Sequence, residues 1–113
     1  MAVTTFAAPL LPGKTTAWRS AVAELTGARR EEYIQARHNL GITREVASLQ
    51  QTPHGDFVVV FIEADDVSGI LQKIIDATDP FHTWFNEAFL KDCHGIDGST
   101  PVPPTNETLV DLL

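Results

Sequence analysis

The sequence predicts an α+β domain with a four-stranded antiparallel sheet covered by helices on one face, and three observations lead there. Two runs rich in β-branched and apolar residues, 42–51 and 57–64, flank a turn sequence and read as a hairpin. Apolar residues at helical spacing both precede and follow that hairpin. The chain of 113 residues is about one domain long, enough to bury a core without disulfide or metal staples.

The elements follow in order. Residues 3–10 are short, apolar and β-branched, and end at Pro9 and Pro12-Gly13, which suits a strand and a turn. A helix starts near Lys14. Counted at about 100° per residue, Trp18, Val22, Leu25, Arg29, Tyr33, Ala36 and Leu40 share one face across Thr26-Gly27. The segment is therefore either one long helix or two that continue in phase, with His38 on the opposite side. Gly41 fits the glycine that closes a helix, and the first hairpin strand follows. Thr52-Pro53-His54-Gly55-Asp56 fits a three-residue loop in which Pro53 presets φ and Gly55 takes the left-handed position. That loop sets Leu49 and Ala47 beside Val59 and Phe61 on one face, and Arg44, Val46, Ser48 and Gln50 beside Ala64, Ile62, Val60 and Val58 on the other.

After Asp65-Asp66, an N-cap pair, Val67, Ile70, Leu71, Ile74 and Ile75 keep helical spacing. Asp79-Pro80 restarts a helix as N-cap and first residue, with Phe81, Trp84, Phe85, Ala88 and Phe89 along one face. Residues 93–97 supply a short last strand. The order β-α-β-β-α-α-β is the ferredoxin-like βαββαβ sandwich with its second helix split at Pro80. This domain occupies residues 1–97, and 98–113 form a Pro-rich C-terminal arm ending in Leu109-Val-Asp-Leu-Leu113. The strand Phe57–Ile62 is apolar on both sides, whereas a small antiparallel sheet ordinarily keeps one face wet. A second copy is the simplest cover, so Arg44, Val46, Val58, Val60 and Ile62 are expected at a homodimer interface.

Composition narrows the function. Eight Lys/Arg against fifteen Asp/Glu give a net charge of −7 with no basic stripe, which argues against nucleic acid as a partner. The single Cys93 forms no intrachain disulfide, no zinc-ligand spacing is present, and no metal is expected. The first thirteen residues lack the charge and apolar run of a secretory signal, and no run spans a bilayer, so a cytoplasmic protein without a membrane partner is expected.

The stretch Leu40-Gly-Ile-Thr-Arg-Glu-Val46, continuing through Leu49-Gln-Gln-Thr-Pro-His-Gly-Asp-Phe-Val-Val-Val60 to Glu63-Ala-Asp-Asp66, resembles the dimeric α/β-barrel superfamily, in an uncharacterised bacterial branch. That superfamily includes cofactor-free monooxygenases, muconolactone isomerase-like enzymes and stress-responsive domains. The resemblance spans roughly residues 3 to 97, is architectural, and brings no catalytic motif with it. It implies a homodimer paired through sheet faces, a pocket for a small aromatic or oxygenated metabolite, and no bound cofactor.

The residues suggest where such a pocket would lie. Trp18, Arg29 and Tyr33 share a helical face and, with Trp84, could line an apolar site with few polar groups. Alternatively the helix breaks at Gly27, Arg29 turns to water and Tyr33 packs as core. His82, at the edge of the aromatic stripe, is a candidate base or a histidine capping the core. His54 could gather with Lys14, Cys93 and His94 at one sheet edge as a second candidate base, or simply be an exposed turn residue. The competing reading is a non-catalytic assembly module that uses its sheet face and C-terminal arm.

Overall fold

Burial alternates along the first strand, β1 (Ala2–Pro9): Thr4, Phe6 and Ala8 point inward while Val3, Thr5 and Ala7 point outward. This period of two divides the sheet into a core face and an outer face. The computed structural model describes residues 1–113. After β1 come α1 (Thr15–Thr26), α2 (Arg30–Asn39), β2 (Ile42–Thr52), β3 (Gly55–Ala64), α3 (Ile70–Asp76) and α4 (Pro80–Phe85). A π-helical segment (Asn86–Lys91) and a single turn, α5 (Asp92–His94), end the helical part. The strands form a three-stranded antiparallel sheet in the order β1-β3-β2.

The hairpin differs from the expected one by a single residue. Thr52 pairs directly with Gly55, so the loop is the two residues Pro53-His54. The Thr52 hydroxyl closes it, accepting from the His54 N–H at 3.1 Å and donating to the Gly55 carbonyl at 2.8 Å. Gly55 has φ +127, open to glycine and strained for other residues. A one-residue slip exchanges partners between faces. Val58, Val60 and Ile62 therefore lie beside Leu49, Ala47 and Glu45 on the core face, buried under the helices. They are not available to a partner, which corrects the expected interface. Arg44 and Val46 do lie on the outer face, beside Glu63 and Phe61.

The helices pack on the inward row. Thr26-Gly27 ends α1, and beyond the break α2 keeps Ala36 buried on the expected face with Arg37 beside it, while Arg29, at the break itself, stays on the rim. Gly41, at φ +82, closes α2 as expected, its N–H donating to the His38 carbonyl at 2.9 Å. The start of α3 falls later than expected, because Asp66 accepts from the Ser68 N–H at 2.9 Å in a local turn. Asp79 and Pro80 are the N-cap and first residue of α4, as the sequence indicates. Asn86 then donates through Nδ2 to the Ile74 and Ile75 carbonyls at 3.0 and 3.1 Å, tying the π-helical segment to the end of α3.

No fourth strand forms. Residues 92–94 are helical, and beside the free edge of β1 runs the C-terminal arm, fixed by the Asn106 N–H donating to the Thr5 carbonyl at 2.7 Å. Pro101, Pro103 and Pro104 lack the N–H groups that a ladder requires. No helix is long and apolar enough to cross a membrane.

Candidate functional site

Between the helices and the core face of the sheet lies a cavity of about 260 Å³, and seventeen of its twenty-two lining residues are hydrophobic. Phe6, Val58 and Val60 form its floor, Trp18 and Leu25 one wall, and Phe85 and Phe89 another. Phe85 and Phe89 stack with centroids 4.7 Å apart. Ala47 also lines the cavity and is exposed, although its directly paired neighbour Val60 is buried. The helices thus leave β2 partly uncovered, and the cavity opens over Ala47.

Two of the few polar lining residues, Arg37 and Glu45, meet at one end beside the Tyr33 hydroxyl. Arg37 is 3 % exposed, and its Nε donates to Glu45 Oε1 at 2.8 Å. Its guanidinium lies 4.3 Å over the Phe85 ring and 5.4 Å from that of Tyr33. Burial, and next the Glu45 carboxylate, push the Tyr33 phenol well above its ordinary range, so its hydroxyl keeps its proton.

Behind Arg37 stands His82, fully buried, with Nε2 2.7 Å from Arg37 Nη1. A guanidinium only donates, so Nε2 must be the bare nitrogen and Nδ1 must carry the proton. Nδ1–H in turn donates to Asp79 Oδ2 at 2.7 Å, while Asp79 Oδ1 accepts the His82 main-chain N–H at 3.0 Å. Burial lowers the His82 pKa and the Arg37 charge adds to this, against the opposing pull of Asp79. For Asp79, burial acts upward, but the hydrogen bonds from His82 win and hold its carboxyl below the usual range. The N-cap of α4 therefore also orients a histidine, which orients a buried arginine. Because the His82 lone pair is occupied by Arg37, the ring is a support and not an available base.

Arg37 thus engages Nε and Nη1 and leaves Nη2 without a protein acceptor, while the Glu45 carboxylate accepts from Arg37 through Oε1 and faces the Tyr33 hydroxyl. With the Tyr33 hydroxyl, these groups offer donors and an acceptor to an oxygen entering the cavity.

At the opposite end His94 lines the cavity. Of the other residues singled out from sequence, Trp18 and Tyr33 line the cavity, whereas Arg29 and Trp84 do not. Arg29 pairs with Glu24 and Glu32 and stacks 4.3 Å over the Trp84 ring on the outer side of the helices. His54 is exposed at the hairpin tip, and Lys14 pairs with Asp92 at 3.0 Å. Cys93 is fully buried, its thiol pushed up by burial and by Asp92 and donating to the Ala88 carbonyl. Sequence reasoning misses Arg37, and it gives Glu45 a cation from elsewhere in the chain as partner but no place in a pocket. Arg37 stands four residues after Tyr33, one helical turn along the same face, and that was the available signal. No cluster of three or more His, Cys, Asp or Glu side chains is arranged to hold a metal ion. Comparison of the chain with protein-family models, with curated proteins and with solved structures returns no match.

Proposed function

We propose that this protein binds a small, mostly apolar metabolite that carries a neutral oxygen, in the cavity between its helices and sheet. The observation that carries this reading is the buried Arg37–Glu45 pair at the wall of an otherwise hydrophobic cavity, with Arg37 Nη2 left without a protein acceptor and the Tyr33 hydroxyl beside it. Buried ion pairs are seldom worth more to stability than hydrophobic residues of the same volume, so stability alone does not account for this one. The volume suits a small ligand, since an apolar cavity of about 150 Å³ already holds a benzene ring. Glu45 compensates the charge of Arg37, which favours a carbonyl or hydroxyl over a carboxylate. With His82 occupied, binding is supported better than turnover, and an isomerase or cofactor-free monooxygenase activity is the narrower form of the reading.

Crystals soaked with 2-acetylnaphthalene test it. The carbonyl oxygen is expected within hydrogen-bond distance of Arg37 Nη2 or the Tyr33 hydroxyl, and a cavity still empty at saturating probe contradicts the reading.

A second reading concerns assembly. Val46, Phe57, Val59 and Phe61 form an outer-face patch that no helix covers, with Val46 39 % exposed. Arg44 and Glu63 lie directly opposite each other on that face, so a twofold-related copy can answer each charge with its opposite. We infer a homodimer through these outer faces. The strand order β1-β3-β2 supports membership of the dimeric α/β-barrel superfamily, with the arm in place of the last strand.

A further inference from the structure

His94 occupies the end of the cavity away from Arg37. Its Nδ1 lies 2.8 Å from the Pro9 carbonyl oxygen, at the end of β1. A carbonyl only accepts, so Nδ1 must carry the proton, and Nε2 is left as a bare lone pair in the neutral ring. Burial lowers the His94 pKa more than the Pro9 hydrogen bond raises it, which keeps the ring neutral near pH 7. Nε2 makes no hydrogen bond with the protein, and the residue lines the cavity. His82 and His94 are therefore both neutral with the proton on Nδ1, but only His94 has its acceptor free.

We propose that His94 Nε2 is a specificity-determining acceptor that selects ligands bearing a hydroxyl at the end remote from their Arg37-bound oxygen. This rests on the cavity being a ligand site. The two ends correspond to separate positions on the sheet: Glu45 pairs with Ile62, whereas Pro9 pairs with Phe57. Five residues of strand rise about 17 Å, shortened by the inward reach of the side chains at both ends. A single ring touches one end only. An elongated molecule with a carbonyl at one pole and a hydroxyl at the other engages both.

The matched probes are 2-acetyl-6-hydroxynaphthalene and its methyl ether, 2-acetyl-6-methoxynaphthalene, titrated by fluorescence against the wild-type protein and His94→Leu. The hydroxyl compound is expected to bind the wild type about tenfold more tightly than the ether, one hydrogen bond's worth. In His94→Leu the ratio should fall to near one while the ether's affinity persists. A ratio near one in the wild type, or an unchanged ratio in His94→Leu, overturns the assignment. Should neither probe bind the wild type, the cavity reading itself fails and takes this one with it. Nitrogen-15 NMR of the wild-type protein gives an independent measurement if the variant does not fold. The His94 Nε2 resonance should be that of an unprotonated ring nitrogen and should move when the hydroxyl probe is added but not with the ether. A proton found on Nε2, or no such movement at saturation, refutes the proposal.

Discussion

Arg37 is charged, 3 % exposed and held from two sides. Removing one member of a buried pair strands the other, so Glu45→Leu should cost about 3 to 5 kcal/mol in a denaturant titration. Replacing both, Arg37→Met with Glu45→Leu, should recover most of that loss, because apolar residues of similar size tolerate the same surroundings. If the double variant is no better than the single, the pair is not a local compensation. His82 adds a pH dependence. Its folded pKa lies below the unfolded value near 6.5, so the unfolded chain binds the extra proton first as pH falls. Its contribution is thus complete above pH 6.5 and is lost as pH drops toward the folded pKa. The melting temperature should fall between pH 7.5 and 5.5, and fall less in His82→Gln; equal falls would contradict a His82 ring held neutral by its surroundings. His94, also depressed, contributes to the residual slope. At this scale the sequence was only partly legible. Tyr33 and Trp18 are readable from helical spacing, as is the alternative in which the helix breaks at Gly27 and Arg29 turns to water; Arg37 is not, because it falls about 100° from Trp18, at the edge of the face where a charged residue reads as solvated. Nothing local in the sequence links His82 to Arg37, since 45 residues separate them.

Among the elements, the pieces with their own punctuation were legible and those decided by neighbours were not. Asp79-Pro80 and Gly41 set helix ends through their own side-chain and backbone chemistry, and the structure keeps both. The hairpin is also evident, yet its loop reads one residue longer than it is because Gly55 and Pro53 suit either closure; the Thr52 hydroxyl decides. That single residue exchanged core and outer faces of β3. A fourth strand was expected at 93–97, where the Cys93 carbonyl instead accepts the Leu11 N–H at 2.8 Å and the helix runs on to His94. The π-helical segment has no sequence signal at all, but its anchoring is testable. Asn86 Nδ2 bridges the last carbonyls of α3, and its Oδ1 is buried without a partner. Asn86→Leu removes the bridge and also the orphaned oxygen, so it should cost only about 1 to 2 kcal/mol. Asn86→Asp should cost more, because a buried carboxylate would face two carbonyl oxygens with no hydrogen to offer. Equal thermal melting of the two variants would show that the bridge carries no weight.

For the whole molecule, two surfaces remain to be used: the outer sheet face and the cavity. Phe61→Lys places a charge in the middle of the outer apolar patch without entering the core, so the fold should persist while a dimer dissociates in sedimentation velocity. A wild-type protein that sediments as a monomer at high concentration would remove the assembly reading and leave the cavity reading intact. The cavity, as a ligand site entered over β2, can be probed at its entrance. Ala47 lines the opening yet is exposed, so a large side chain there can fill the mouth without crowding the core. The decisive measurement is calorimetric titration of 2-acetylnaphthalene into the wild type and Ala47→Trp. Saturable one-to-one binding by the wild type is expected, with at least tenfold weaker binding by Ala47→Trp at an unchanged melting temperature. Absence of saturable binding in the wild type, or equal affinity in the two proteins, would contradict a ligand site entered over β2.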